Sequence, residues 1–282
     1  MKFIDTLDAM AAHYDVILCD VWGVLHNGQT AWPSASHALA RARDGGKTVV
    51  LITNSPRPNA GVRMQLAELG VPENAYDAIA TSGDVTRTLI AEAPRKQFHL
   101  GPDRDDPLFE GLDVELVADA EADAIVCTGL FDDDTETPED YEEMLSRFRG
   151  RDLPFICANP DIVVERGERL VYCAGALARR YGLMGGRTLI AGKPHKPIYD
   201  LAMTLASQAR GAEVSKAKTM VIGDGITTDA KGAMDNGFDL LFITDGIHAR
   251  EYGAHGAPDM DRLTAFLDDF GATPVASMTK LA

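Results

Sequence analysis

The sequence predicts a doubly wound parallel α/β sheet with a second, smaller α/β unit inserted into it, and three observations carry that prediction. Eight short apolar runs recur along the 282 residues without strict polar alternation, as strands covered on both faces require. Amphipathic segments with recognisable helix ends separate them, and strand–helix–strand repetition implies a parallel sheet. From about residue 82 to residue 189 the texture changes: strands scatter, loops lengthen and acids crowd together in "EGLDVELVADAEAD" and "FDDDTETPED".

Taken in order, the strand-like runs are "DVILCD" (15–20), "KTVVLIT" (47–53), "DAIAT" (77–81), "DAIVCT" (123–128), "PFICA" (154–158), "RTLIAG" (187–192), "KTMVIGD" (218–224) and "DLLFIT" (239–244). Between them, Ser34 is placed to cap "ASHALARARD", which Gly45 and Gly46 close, and Pro58 opens a segment that Gly70 ends. Pro138 starts "EDYEEMLSRFRG", with acids in its first turn and arginines in its last, matching the helix dipole. The expected organisation is a core of residues 1–81 and 190–282 and an inserted α/β domain of residues 82–189.

Composition narrows the class. The chain is 45% hydrophobic and 25% charged, an ordinary globular balance. No apolar run approaches the roughly 18 residues of a membrane span, and "MKFIDTLDAMAAHYD" lacks the pattern of a secretory signal. A cytoplasmic protein is expected. Cys19, Cys127, Cys157 and Cys173 stand singly in or beside apolar runs, as buried free thiols do. A formal charge of −16 argues against nucleic acid or an anionic membrane as partner. An anionic substrate would then need a local cluster of donors.

Four segments place polar groups directly after an apolar strand, where an open α/β sheet forms its ligand crevice. "VILCD" ends on Asp20; "VVLITNSP" gives Thr53 and Asn54; "LIAGKPHKP" gives Lys193; "MVIGDGITTDAKGA" gives Asp224 and Asp229. Three clustered carboxylates facing one lysine would repel one another without a cation. Oxygen ligands with open positions suit Mg²⁺ and a substrate phosphate. Other features have plainer readings: consecutive acids at 131–140 make a solvated loop, His248 and His255 are surface residues, and no G-x-G-x-x-G follows the first strand.

These four motifs, in this order, resemble the haloacid dehalogenase superfamily of phosphohydrolases. More narrowly they are similar to its subclass IIA branch, which carries a large α/β cap between the second and third motifs and includes sugar-phosphate, nucleotide, phosphoglycolate and pyridoxal-phosphate phosphatases. "ICANPD" (156–161) resembles that branch's Asn-Pro-Asp segment within the cap, and "TSGDVT" (81–86) the junction into it. The resemblance implies a Rossmann-like core and a small phosphorylated metabolite as substrate. Asp20 would attack phosphorus and form an aspartyl-phosphate, Thr53 and Asn54 would hold phosphoryl oxygens, and Lys193 would stabilise the charge. Asp20, Asp224, Asp229 and the main-chain carbonyl of Trp22 would hold Mg²⁺, while Asn159 and Asp161 would face the substrate from the cap. Relatives with this cap often form homodimers through it.

Trp22 is the departure. In the family, the residue two beyond the nucleophile is usually a second Asp that protonates the leaving group and then activates water. An indole N–H cannot exchange a proton at useful pH, and losing a general acid–base costs about 10²- to 10⁴-fold. Four outcomes are open: His26, or else His195, substitutes as acid–base; the leaving group needs no proton; the aspartyl-phosphate passes to an acceptor, making a phosphotransferase; or the protein binds a phosphorylated metabolite and turns it over poorly.

Overall fold

The apolar runs form strands, and every one is paired in parallel. The structure is a computed structural model describing residues 2–282. In chain order the strands are β1 (Val16–Asp20), β2 (Thr48–Thr53), β3 (Ala78–Thr81), β4 (Lys96–Leu100), β5 (Glu115–Leu116), β6 (Ala124–Cys127), β7 (Phe155–Cys157), β8 (Val163–Arg166), β9 (Arg169–Tyr172), β10 (Thr188–Ile190), β11 (Thr219–Gly223), β12 (Asp239–Ile243), β13 (Gly253–Ala254), β14 (Ala257–Pro258) and β15 (Ala276–Met278). One parallel sheet has the order β15-β12-β11-β1-β2-β3, the other β10-β7-β6-β4-β5.

The first sheet shows why its strands are continuously apolar. Ile17, Cys19, Val49 and Leu51 point into one buried cluster, while Val16, Leu18, Val50 and Ile52 point into another on the opposite face. Helices cover both sides, so each position of β1 and β2 is buried. The chain runs from β1 through β2 to β3 on one side, then returns to β11 and β12 on the other. The carboxyl ends of β1, β2 and β11 therefore flank a topological switch point, the favoured place for a ligand crevice.

The second sheet has apolar clusters of its own, one around Phe148, Phe155 and Tyr181 and another around Ile90, Val126 and Ile156. The antiparallel hairpin β8–β9 stands apart from it. Ile190, assigned by sequence to the core, pairs with Cys157 in this second sheet, because the apolar run continues in register up to that residue. All four cysteines are buried free thiols. Among the described residues no helix is long and apolar enough to cross a membrane.

Two local expectations are corrected. Ser34 does not cap its helix. Pro33 takes the first helical position, where its fixed φ starts the helix two residues earlier with Trp32 as its cap, and the Ser34 hydroxyl donates instead to the Leu281 carbonyl at 3.1 Å. The acidic loop is not wholly solvated either. Asp133 turns inward, its side chain only 10% exposed, and pairs with Arg104 and with Arg166 at 2.7 Å.

Candidate active site

Asp20 is the last residue of β1, Thr53 the last of β2, and Asp224 follows directly on β11. These neighbouring strand ends supply the floor of the site. Asp229 comes from the single π-helical turn Ile226–Ala230, and Lys193 from the loop between β10 and the helix Lys196–Arg210. Carboxylate oxygens of Asp20, Asp224 and Asp229 lie within 4.8 Å of one another, all buried. The Lys193 ammonium donates to Asp20 Oδ1 and to Asp229 Oδ1, each at 2.7 Å.

Backbone amides complete the set. Asp20 Oδ1 also accepts from the Val21 amide at 2.7 Å, Asp224 Oδ2 from Ile247 at 2.7 Å and Asp229 Oδ2 from Gly225 at 3.1 Å. Gly23, at φ +83°, makes room for this packing, since a Cβ there would stand 2.3 Å from Asp224 Oδ2. Asn54 is a brace: its Oδ1 accepts from the Lys193 amide at 2.7 Å and its Nδ2 donates to Asp161 Oδ1 at 2.8 Å. Asn159 Oδ1 in turn accepts from the Asp161 amide at 3.1 Å.

Three formal negative charges thus face one ammonium. Burial first, then the charge of Asp229, pushes the Asp20 carboxyl well above the usual carboxylate range. The same causes push Asp224 up to about 7. Burial works to lower the pKa of Lys193, but the carboxylates of Asp20 and Asp229 outweigh it and hold the ammonium well above its ordinary value. A hard divalent cation fits this donor set of buried, under-compensated oxygens.

A stability test follows. Asp224 binds its proton more tightly folded than unfolded, where about 3.9 is usual. Its contribution to stability is therefore full at low pH and lost as pH rises through about 7. Chelator-treated protein should melt at a lower temperature near pH 8 than near pH 5, with a divalent cation raising the melting point most at the higher pH. Asp224→Asn should flatten the slope. A melting point of the stripped protein that climbs across this range would contradict the arrangement.

Two joined chambers open above the floor. The inner, about 60 Å³, is lined by Asp20, Thr53, Asn54, Lys193, Asp224 and Asp229 among others. The outer, about 270 Å³, lies between the two sheets' domains and is lined by Arg57, Arg104, Arg166, Asp105, Asp133 and Asn159 among others. Trp22, Thr53, Asp161 and Val164 line both. The three arginines are the donor cluster that the global charge calls for. They escaped sequence reading because Arg57 lies in a turn and Arg104 and Arg166 lie in distant inserted segments. Each is already paired, Arg57 with Asp105 at 3.6 Å and the others with Asp133, so the outer chamber is polar but nearly balanced in charge.

Trp22 is held firmly. Its indole N–H donates to the Glu165 carbonyl of β8 at 2.6 Å, clasping the hairpin to the core, and the Gly167 amide adds a bond to the Asn27 carbonyl at 3.1 Å. A Cβ at Gly28 would come within 2.5 Å of the ring. His26 is not brought to the chambers. It is 1% exposed, packs at 5.0 Å edge-on to Trp22, and accepts from the Gly28 amide through Nδ1 at 2.9 Å. Burial depresses its pKa to about 4, so this imidazole is neutral and fastens the loop rather than moving protons. His195 is exposed at the start of the helix Lys196–Arg210 and lines neither chamber.

Comparison with known proteins agrees with this geometry. Residues 17–115 match the family model described as haloacid dehalogenase-like hydrolase, and residues 190–272 match a HAD-hydrolase-like model. The chain is 25% identical over 263 residues to the 5'-nucleotidase YutF of Bacillus subtilis, covering 90% of this chain and 95% of that protein. It is 25% identical over 242 residues to the ribonucleotide monophosphatase NagD of Escherichia coli, covering 82% and 88%. A crystal structure of a haloacid dehalogenase-like family hydrolase from Brucella suis superposes with a TM-score of 0.91 at 55% identity, over 99% of this chain and 100% of that one. With its carboxylates and lysine gathered at the switch point and a relative so similar along its whole length, the chain belongs to the haloacid dehalogenase-like hydrolase family.

Proposed function

We propose that the protein is a Mg²⁺-dependent phosphomonoesterase that releases phosphate from a small metabolite of the sugar-phosphate or nucleotide class. The carrying observation is the buried ammonium 2.7 Å from both Asp20 and Asp229, at the base of a chamber that widens into a polar cleft. The YutF and NagD relatives, a 5'-nucleotidase and a ribonucleotide monophosphatase, support the substrate class. Phosphoryl transfer needs positioning and charge neutralisation more than elaborate bond chemistry, and those are what this site offers.

Asp20 Oδ1 is engaged by Lys193 and Val21, which leaves Oδ2 as the nucleophilic oxygen. Its attack on phosphorus gives an aspartyl-phosphate, which water then hydrolyses. Lys193 offsets the charge of the transferring group, and Asn54 fixes the loop from which Lys193 reaches in. Thr53 and Asn54 line the space for the phosphoryl oxygens. Asp20, Asp224, Asp229 and the Trp22 carbonyl would hold Mg²⁺, which supplies positive charge to the phosphoryl group when bound. The inserted domain acts as a cap that sets specificity and excludes water, and the setting is a cytoplasmic one, with a homodimer joined through the cap.

The test is phosphate release from a panel of sugar phosphates, nucleotides and 4-nitrophenyl phosphate with Mg²⁺. Turnover of at least one alkyl ester, abolished by chelation, is expected. Tight binding of a phosphorylated metabolite without turnover of any ester would make the protein a binding protein, and transfer to an added alcohol in preference to water would make it a phosphotransferase.

A further inference from the structure

A proton must reach the leaving oxygen of an alkyl phosphate, and Trp22 cannot carry it: its one exchangeable hydrogen is donated to the Glu165 carbonyl. The donor has to stand where the inner chamber, which takes the phosphoryl group, meets the outer one, which takes the rest of the substrate. Among the described residues, Trp22, Thr53, Asp161 and Val164 line both spaces, and Asp161 is the carboxyl group of the four. We propose that Asp161, delivered from the cap, is the general acid and base of the reaction, replacing the carboxyl group that position 22 lacks.

The surroundings of Asp161 suit the task. Its Oδ1 is fixed by the Asn54 amide at 2.8 Å, and its main-chain N–H by Asn159 at 3.1 Å, so the carboxyl has a set orientation. Among the described residues no hydrogen bond engages Oδ2, which is left to meet a ligand. Enclosure between core and cap raises its pKa, with Asp229 adding to the rise, although Lys193 and the Asn54 amide pull the other way. A carboxyl group so placed can hold a proton until a leaving group takes it. The same Asn54 braces Lys193 through its other face, so the acid and the phosphate-binding ammonium are registered to one another by a single side chain.

The steps balance. Asp20 Oδ2 bonds to phosphorus as the bond from phosphorus to the leaving oxygen breaks; that oxygen keeps the electron pair and takes the proton of Asp161, giving the free alcohol and an aspartyl-phosphate. Asp161, now a carboxylate, takes a proton from water as the water oxygen bonds to phosphorus. The bond to Asp20 breaks, its electron pair returns to the Asp20 carboxylate, and inorganic phosphate departs. Asp161 ends protonated, as it began. Because the acid belongs to the cap, chemistry on an alkyl ester requires the cap to be seated.

This inference rests on the phosphomonoesterase reading, and Asp161→Asn separates the two. The asparagine can still accept from Asn54 but carries no transferable proton. Single-turnover cleavage of the best alkyl phosphate should fall about 10²- to 10⁴-fold. The first-turnover burst of nitrophenolate from 4-nitrophenyl phosphate, a leaving group that needs no proton, should stay within about 3-fold of wild type, with a slowed steady state after it. Asp161→Ala should show the same split between esters, and Asp161→Glu should recover part of the alkyl activity. Equal losses on the alkyl cleavage and the aryl burst, or no loss on either, overturn the role of Asp161. Wild-type protein inactive on both esters overturns the phosphomonoesterase reading itself.

Discussion

Asp20→Asn should lower phosphate release by on the order of 10⁵- to 10⁶-fold, the range seen when a covalent nucleophile is removed. The reason is local. In the inner chamber, Asp229 has both oxygens committed, to Lys193 and to the Gly225 amide, and Asp224 is held by the Ile247 amide, while Asp20 is the strand-end carboxylate that Lys193 itself contacts, with its Oδ2 left for attack. The amide oxygen of asparagine can still accept from Lys193, so the pocket keeps its shape, but the group is neutral and a poor nucleophile. Rapid acid quench with labelled substrate should trap phosphate on the wild-type chain and none on the variant. Residual activity above about 1% in a homogeneous preparation would mean that the phosphoryl group never passes through this carboxylate.

The second large effect is on stability. Lys193 is 2% exposed and, among the described residues, is the one ammonium within the buried acidic cluster. Removing one member of a buried, hydrogen-bonded charge set costs about 3–5 kcal/mol, because the partners stay behind uncompensated. Lys193→Met should therefore unfold at markedly lower denaturant near neutral pH, and a divalent cation should return part of the loss. Activity should fall at least about 10³-fold, since the ammonium also faces the transferring charge. Combining it with Asp20→Asn should restore some stability, a coupling that a double-mutant cycle measures directly. A Lys193→Met protein as stable as wild type would show that the ammonium is not what reconciles these acids.

The sequence was most informative where the backbone alone decides position. A strand buried on both faces must be apolar, so its polar terminator is conspicuous, and Asp20, Thr53 and Asp224 were legible for that reason. Lys193 follows the apolar run that ends in the half-buried edge strand β10, and Asp229 lies in the helical turn after β11, so both were read with the strands before them. Residues that matter through tertiary folding were not legible. Arg57, Arg104 and Arg166 become one wall only when the cap is folded over the core. His26 drew attention because it follows Asp20 closely in sequence. Yet the loop tucks its ring behind Trp22, and neither the short chain distance nor the ordinary pKa of histidine could reveal that. Asp161 was placed in the cap segment by motif, but its position at the junction of two chambers is a property of the docked domains.

The bond from the Trp22 indole ends on the peptide oxygen of residue 165, not on its side chain. Every amino acid brings that same oxygen. Mutational drift along the β-ribbon can therefore swap the side chains that line the two chambers, while the ribbon remains moored to the core by an acceptor that no substitution there deletes.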